Sequence, residues 1–115
     1  MLEAYPVSQS MISSLVPLMP VIARHDKDLA DQLKRAANSV LLNIGEGEWR
    51  AGGDRKHHFR IAAGSAGECR AVLHAAKEWR LPLDDREARV HIHRVLGMLY
   101  GLVHGPKRLR VATHG

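Results

Sequence analysis

The sequence is short of the residues from which sheets and cross-linked small folds are made. Its 115 residues include one phenylalanine, two tyrosines and two tryptophans. No segment alternates with period two, so the β-branched and aromatic alternation of strands is missing. Cys69 is the only cysteine, which rules out an intrachain disulfide and fits a reducing, cytoplasmic setting. Apolar runs fall short of the roughly 20 residues of a membrane span, since 15–23 is interrupted by Pro17 and Pro20; no membrane partner is expected. The first residues carry Glu3 and no Lys or Arg, and no small-residue cleavage pattern follows, so a secretory signal is not expected. HExxH is absent and no glutamate has a histidine three residues later, which removes the zinc-protease and di-iron bundle signatures.

What remains is helical in period and punctuation. One domain suits this length, with helices expected at about 8–24, 27–51, 55–79 and 85–104 and a basic tail over 105–115. In the first, Ser8 is a candidate N-cap and Met11, Leu15, Leu18 and Ile22 share a face, with Pro17 and Pro20 kinking or ending the helix. The second presents Leu29, Leu33, Ala36, Val40, Ile44 and Gly47. Asp54 is placed to cap the third, whose stripe is Phe59, Ala62, Ala66, Cys69, Leu73 and Ala76. Asp84 and Glu87 have capping-box spacing ahead of Ala88, Ile92, Val95, Leu99 and Leu102. The expected fold class is therefore all-α, an antiparallel up-down-up-down four-helix bundle.

The stretch Asn43-Ile44-Gly45-Glu46-Gly47-Glu48-Trp49-Arg50 tests for chemistry. It lacks the Gly-Lys-Ser/Thr ending and preceding strand of a phosphate loop. Glu46 and Glu48 project about 200° apart on a helix and do not converge on one substrate atom. Gly47 falls on the inward stripe, so a close helix contact is the expected role. No nucleophile or cofactor motif accompanies the glutamates, so neither an enzyme nor a cofactor is expected. Of the eight histidines, the two close pairs diverge on a helix, His57 from His58 and His91 from His93, and no metal ligand set is assigned.

Gln32 to Val40, Asn43 to Gly47 and Ile61 to Glu68 together resemble the small bundle family of proteins encoded in 23S rRNA intervening sequences. The accessory variability determinant of diversity-generating retroelements is similar. The likeness runs in order over about 29–104, departing at Gly45, where alanine is usual, and in the proline-broken first helix. It implies an up-down-up-down bundle that assembles into a ring, a pentamer where the family is best understood, with no catalytic residues. For the retroelement branch it implies binding to nucleic acid and to a reverse transcriptase.

Three residue sets follow from helical projection. Leu42 and Trp49 lie opposite the core stripe of the second helix, and Ile61, Val72 and Trp79 form an apolar edge of the third; both are assigned to an interface between copies of the chain. Arg35, Asn43, Glu46, Ser65 and Glu68 are assigned to a partly buried polar network in which Arg35 pairs with Glu68 or Glu46. Lys56, Arg60, Arg70, His74 and Lys77 share one solvent-facing arc with the small spacers Ala63, Gly67 and Ala71. With Lys107, Arg108 and Arg110 of the tail they form a candidate surface for the backbone of RNA or DNA, without base stacking. The excess of 17 Lys and Arg over 12 Asp and Glu favours polyanionic partners. The competing reading is an adaptor that docks a protein on its apolar edges, its basic face being only solvated.

Overall fold

The computed structural model describes residues 2–105, and among them there are helices and no strands. Five α-helices make four arms. The first arm is α1 (Ala4–Leu15), a 3-10 turn (Val16–Leu18) and α2 (Met19–His25); then come α3 (Lys27–Glu48), α4 (Gly52–Glu78) and α5 (Arg86–His104). The expected all-α bundle is present, and its extents of 50 × 32 × 19 Å describe an elongated slab. Packing closes on itself: α3 lies against α4, α4 against α5, α5 against α1 and α1 against α3, while α2 packs chiefly on α3. Pairs such as Gln32–Glu68, Ser39–Ser65 and Asn43–His58 run in opposite chain directions, so α3 and α4 form an antiparallel hairpin.

The core holds the stripes the periodicity marks. Leu33, Val40, Ile44, Phe59, Ala62, Ala66, Cys69, Leu73, Ile92, Val95 and Leu99 are at most 1% exposed. Burial of each large side chain among them contributes about 1.5–3 kcal/mol.

The first arm departs from expectation. α1 begins at Ala4 with Glu3 as its flanking residue, and Ser8 is not a cap: it is buried and its hydroxyl donates to the Tyr5 carbonyl at 2.6 Å. A buried hydroxyl satisfied within its own helix competes with the backbone ladder but leaves no orphan polar atom. Pro17 and Pro20 each sit in the first turn of a new helical segment, where the missing N–H costs nothing. The chain therefore changes helix type at the prolines instead of ending. By length and apolar character Ala4–His25 reaches the range of a membrane span, more than the interrupted sequence run suggested; in the bundle its inner face, Val7, Met11, Leu15, Leu18 and Ile22, is buried in the common core.

Caps also shift. Asp26 caps α3, accepting from the Leu29 N–H at 3.0 Å. Asp54 lies inside the first turn of α4, which starts at Gly52. Asp84 does not form the expected box with Glu87; its carboxylate takes the backbone N–H and side chain of Arg86 at 3.2, 2.9 and 2.7 Å. That hydrogen bonding, led by the Arg86 side chain, holds the Asp84 carboxyl down at about 2. α4 ends through Arg80, a left-handed residue at φ 62, with the Leu81 N–H closing on the Ala76 carbonyl at 3.0 Å.

Candidate nucleic-acid interface

The α3–α4 hairpin contains the close helix contact expected at Gly47. A Cβ on Gly47 would lie 2.4 Å from Cε1 of the fully buried Phe59, so only glycine lets that ring reach the α3 backbone. Arg55 clamps the same corner: its guanidinium sits 5.0 Å above the Phe59 ring and donates to the Gly47 carbonyl at 3.1 Å. A cation on the last carbonyls of α3 also opposes the negative end of the helix dipole. The close contact at Gly47 is the role its inward position predicts, but its partner Phe59 and the Arg55 clamp are not legible from spacing alone, because they join two helices across a turn.

Above that corner a chain of polar contacts stitches the hairpin. Ser65 donates to the Ser39 hydroxyl at 2.7 Å, Asn43 Nδ2 reaches the Ser39 carbonyl at 2.9 Å, and His58 Nδ1 meets Asn43 Oδ1 at 2.9 Å. His58 Nε2 approaches Asp54 at 4.0 Å, Asp54 accepts from Arg50 at 3.1 Å, and Arg50 reaches Glu46 at 3.3 Å. Asn43, Ser65 and Glu46 thus belong to one network as assigned. Arg35 and Glu68 do not: Arg35 is exposed and has no ion pair among the described residues, Glu46 takes Arg50, and Glu68 meets Gln32 at 3.5 Å. Arg35 faces the same side of α3 as Glu46 but lies 11 residues away, about 16 Å along the helix, and it projects about 60° from Gln32, the residue that meets Glu68, which is why neither expected pairing is made. Ser39, Arg50, Asp54 and His58 are members outside the assigned set; His58 lies on the α4 edge that carries Ser65, and its separation of seven from Ser65 was the available signal.

The arrangement is a seam. No three side chains of His, Cys, Asp and Glu gather to hold a metal among the described residues. Cys69 is fully buried on α4, and burial, followed by the nearby Glu68 charge, pushes its thiol up to about 12. A thiol so held is a core atom, not a nucleophile.

Outside the seam, the assigned interface residues divide. Leu42, Trp49 and Trp79 are 66%, 88% and 75% exposed and Ile61 is 38% exposed. Val72 is not on the surface: it is 3% exposed and part of the core, because the interior takes a wider arc of α4, toward α3, than its central stripe suggested. The two tryptophans follow the C-terminal ends of α3 and α4, so the length of α4 separates them, about 40 Å at 1.5 Å per residue.

The basic set on α4 is where the projection put it. Lys56, Arg60, Arg70, His74 and Lys77 are all exposed, and none has an ion pair among the described residues. Arg50, Arg86 and Arg89, by contrast, all have carboxylate partners. Arg70 marks the edge of this arc nearest α5, where it lines a groove of about 430 Å³ with His93, Gly97, Tyr100 and Gly101. Lys107, Arg108 and Arg110 lie outside the described residues. The exposed basic arc of α4 carries no Phe, Tyr or Trp, and α5 brings Tyr100 to its edge, where the Tyr100 and His104 rings lie with centroids 4.4 Å apart.

The likeness noted in three short motifs extends to the whole bundle. Residues 3–101 match the family model described as 23S rRNA-intervening sequence protein, while no curated protein and no solved structure gave a match. The match begins in the first arm and runs through α5, and the motifs that carry the likeness, Asn43–Gly47 and Ile61–Glu68, are the two sides of the α3–α4 seam. The chain therefore belongs to the family of 23S rRNA-intervening sequence proteins.

Proposed function

We propose that this protein is a non-enzymatic homo-oligomeric bundle that binds the backbone of RNA or DNA, without sequence preference, through the basic arc of α4. The observation that carries the reading is the gathering of four permanent cations, Lys56, Arg60, Arg70 and Lys77, on one exposed arc of a single helix without an ion pair among the described residues; Arg24, Arg35, Arg80 and Arg94 also lack one but are scattered over other parts of the chain. Small neighbours, Ala63, Gly67 and Ala71, let a phosphate chain approach, and each phosphate neutralised releases counterions. Assembly is supported by Leu42, Trp49, Ile61 and Trp79, apolar surface that water disfavours. Tryptophans at opposite ends of one wall suit subunits packed side by side along their length, as in a ring. Five subunits is the number the family resemblance implies, and the retroelement branch adds a reverse transcriptase as a partner class. A cytoplasmic location accords with the lone reduced cysteine.

The test is retention of a labelled RNA or DNA across a salt series by wild type and by the Arg60→Glu/Arg70→Glu/Lys77→Glu variant. Wild type should lose affinity steeply as salt rises, and the variant should bind on the order of 100-fold more weakly with a shallower slope. Equal binding by the two proteins removes the reading. Capture of a protein that persists in high salt with nuclease present, and is lost when Trp49 and Trp79 are replaced, would favour the adaptor instead. Sedimentation at micromolar concentration tests assembly: a species of 12.8 kDa alone excludes the ring.

A further inference from the structure

The basic arc does not end at α4. Its α5 edge opens into the groove holding Arg70, and the far wall of that groove has a composition of its own. His93, Gly97 and Gly101 recur every four residues and so make one lane along α5, about 12 Å long at 1.5 Å per residue, and Gly105, which ends the helix, lines the same groove. A Cβ on Gly97 or Gly101 would meet nothing within 4 Å. Packing among the described residues therefore gives no reason for glycine at either position, although each costs about 0.5–1 kcal/mol relative to alanine in a helix interior. Beside the lane stands Tyr100, 38% exposed and tilted by 41° against His104.

The groove thus joins a cation at Arg70, bare backbone at Gly97, Gly101 and Gly105 beside the partly buried Leu96, and the ring of Tyr100, which His104 contacts from outside the lining. Its polarity is fixed by α5. The last carbonyls of that helix, near Gly101 to Gly105, present partial negative charge, so an anion is disfavoured there and favoured beside Arg70 and His93. A flat, uncharged ring is favoured at the other end, against Tyr100 and close to the bare backbone. We infer that the α4–α5 groove binds unpaired nucleotides of a single strand, with a phosphate on Arg70 and a base stacked on Tyr100. This inference rests on the basic-arc reading and narrows it, because a duplex keeps its bases stacked inside and can engage only the cations. It also amends the expectation that bases would not be stacked, which considered α4 alone.

The experiment measures binding of a fluorescein-labelled 12-nucleotide oligouridylate and of a 12-base-pair RNA duplex at one salt concentration. The proteins are wild type, Tyr100→Leu, Gly97→Ala and the Arg60→Glu/Arg70→Glu/Lys77→Glu variant, with thermal unfolding as the folding control. Tyr100→Leu should weaken single-strand binding by about tenfold, the range expected for losing one stacked base, and leave duplex binding unchanged. Gly97→Ala should do the same to a smaller degree while folding at least as well, which keeps the inference testable if the leucine variant is unstable. The glutamate variant should lose both ligands. If wild type binds both and neither Tyr100→Leu nor Gly97→Ala separates them, the inference falls and the basic arc stands. Wild type binding neither ligand overturns both. A change of oligomer size in Gly97→Ala with oligouridylate affinity intact would assign the lane to a neighbouring subunit, and that also overturns the inference.

Discussion

The two flanks of α4 are built in opposite ways from similar materials. Toward α3, glycine is a contact: Gly47 admits the Phe59 ring, and a run of hydroxyl, amide, imidazole and carboxylate groups continues the join outward. Toward α5, glycine is a vacancy, since among the described residues Gly97 and Gly101 face nothing and the nearby Arg70 has no ion pair. The same residue type closes one side and keeps the other open. A glycine in a helix is thus informative only once its neighbour is known, and the difference separates a flank that holds the hairpin from one available to a ligand.

The largest expected effect concerns the residue behind both flanks. With its thiol raised from 9.0 to about 12, Cys69 should carry roughly a thousandfold less thiolate in the folded protein than in the unfolded chain near pH 8. Labelling by a thiol reagent should then follow opening of the bundle. The folded state holds this proton more tightly, so its stabilising contribution is complete below about pH 9 and is lost as pH rises toward 12. Chemical denaturation at pH 8 and pH 10.5 checks the sign: Cys69→Ala should flatten the alkaline decline. Rapid labelling of native protein would mean that one flank opens freely and would break the comparison.

Next in size is Gly47→Ala, which places a methyl group against a buried aromatic ring. Overpacking of this kind costs typically 1–3 kcal/mol, less the gain from a better helix former, so a net loss of about 2 kcal/mol is expected in urea unfolding. Asn43→Ala comes after it. It leaves His58 Nδ1 without its Asn43 partner, while the Ser39 carbonyl keeps its helical N–H, and a partly buried group so stranded costs about 1–2 kcal/mol. It should also speed Cys69 labelling if the seam is the flank that resists opening.

The sequence announced the four arms and most of the core because helical period records burial one helix at a time. It also placed Lys56, Arg60, Arg70, His74 and Lys77 on one exposed arc, since solvent exposure is a property of a single face. It failed where two helices must be seen together. Arg35 pairs with neither Glu46 nor Glu68, His58 enters the seam unannounced, and Val72 joins the core because the interior extends over more of α4 than its central stripe. Tyr100 was overlooked for the same reason: it belongs to α5 by sequence and to the basic arc only by packing.

Gly97→Ala is the smallest expected change and the most discriminating. In the seam, glycine is required, and adding a methyl destabilises. In the lane, the added methyl meets open space, so the usual advantage of alanine in a helix interior should appear as a gain of about 0.5–1 kcal/mol. A stabilising substitution that weakens single-strand binding would show the position held as glycine for a ligand at the expense of the fold. A destabilising one would mean that Gly97 is pressed by something the isolated subunit lacks, and sedimentation of the variant would show whether that is another copy of the chain.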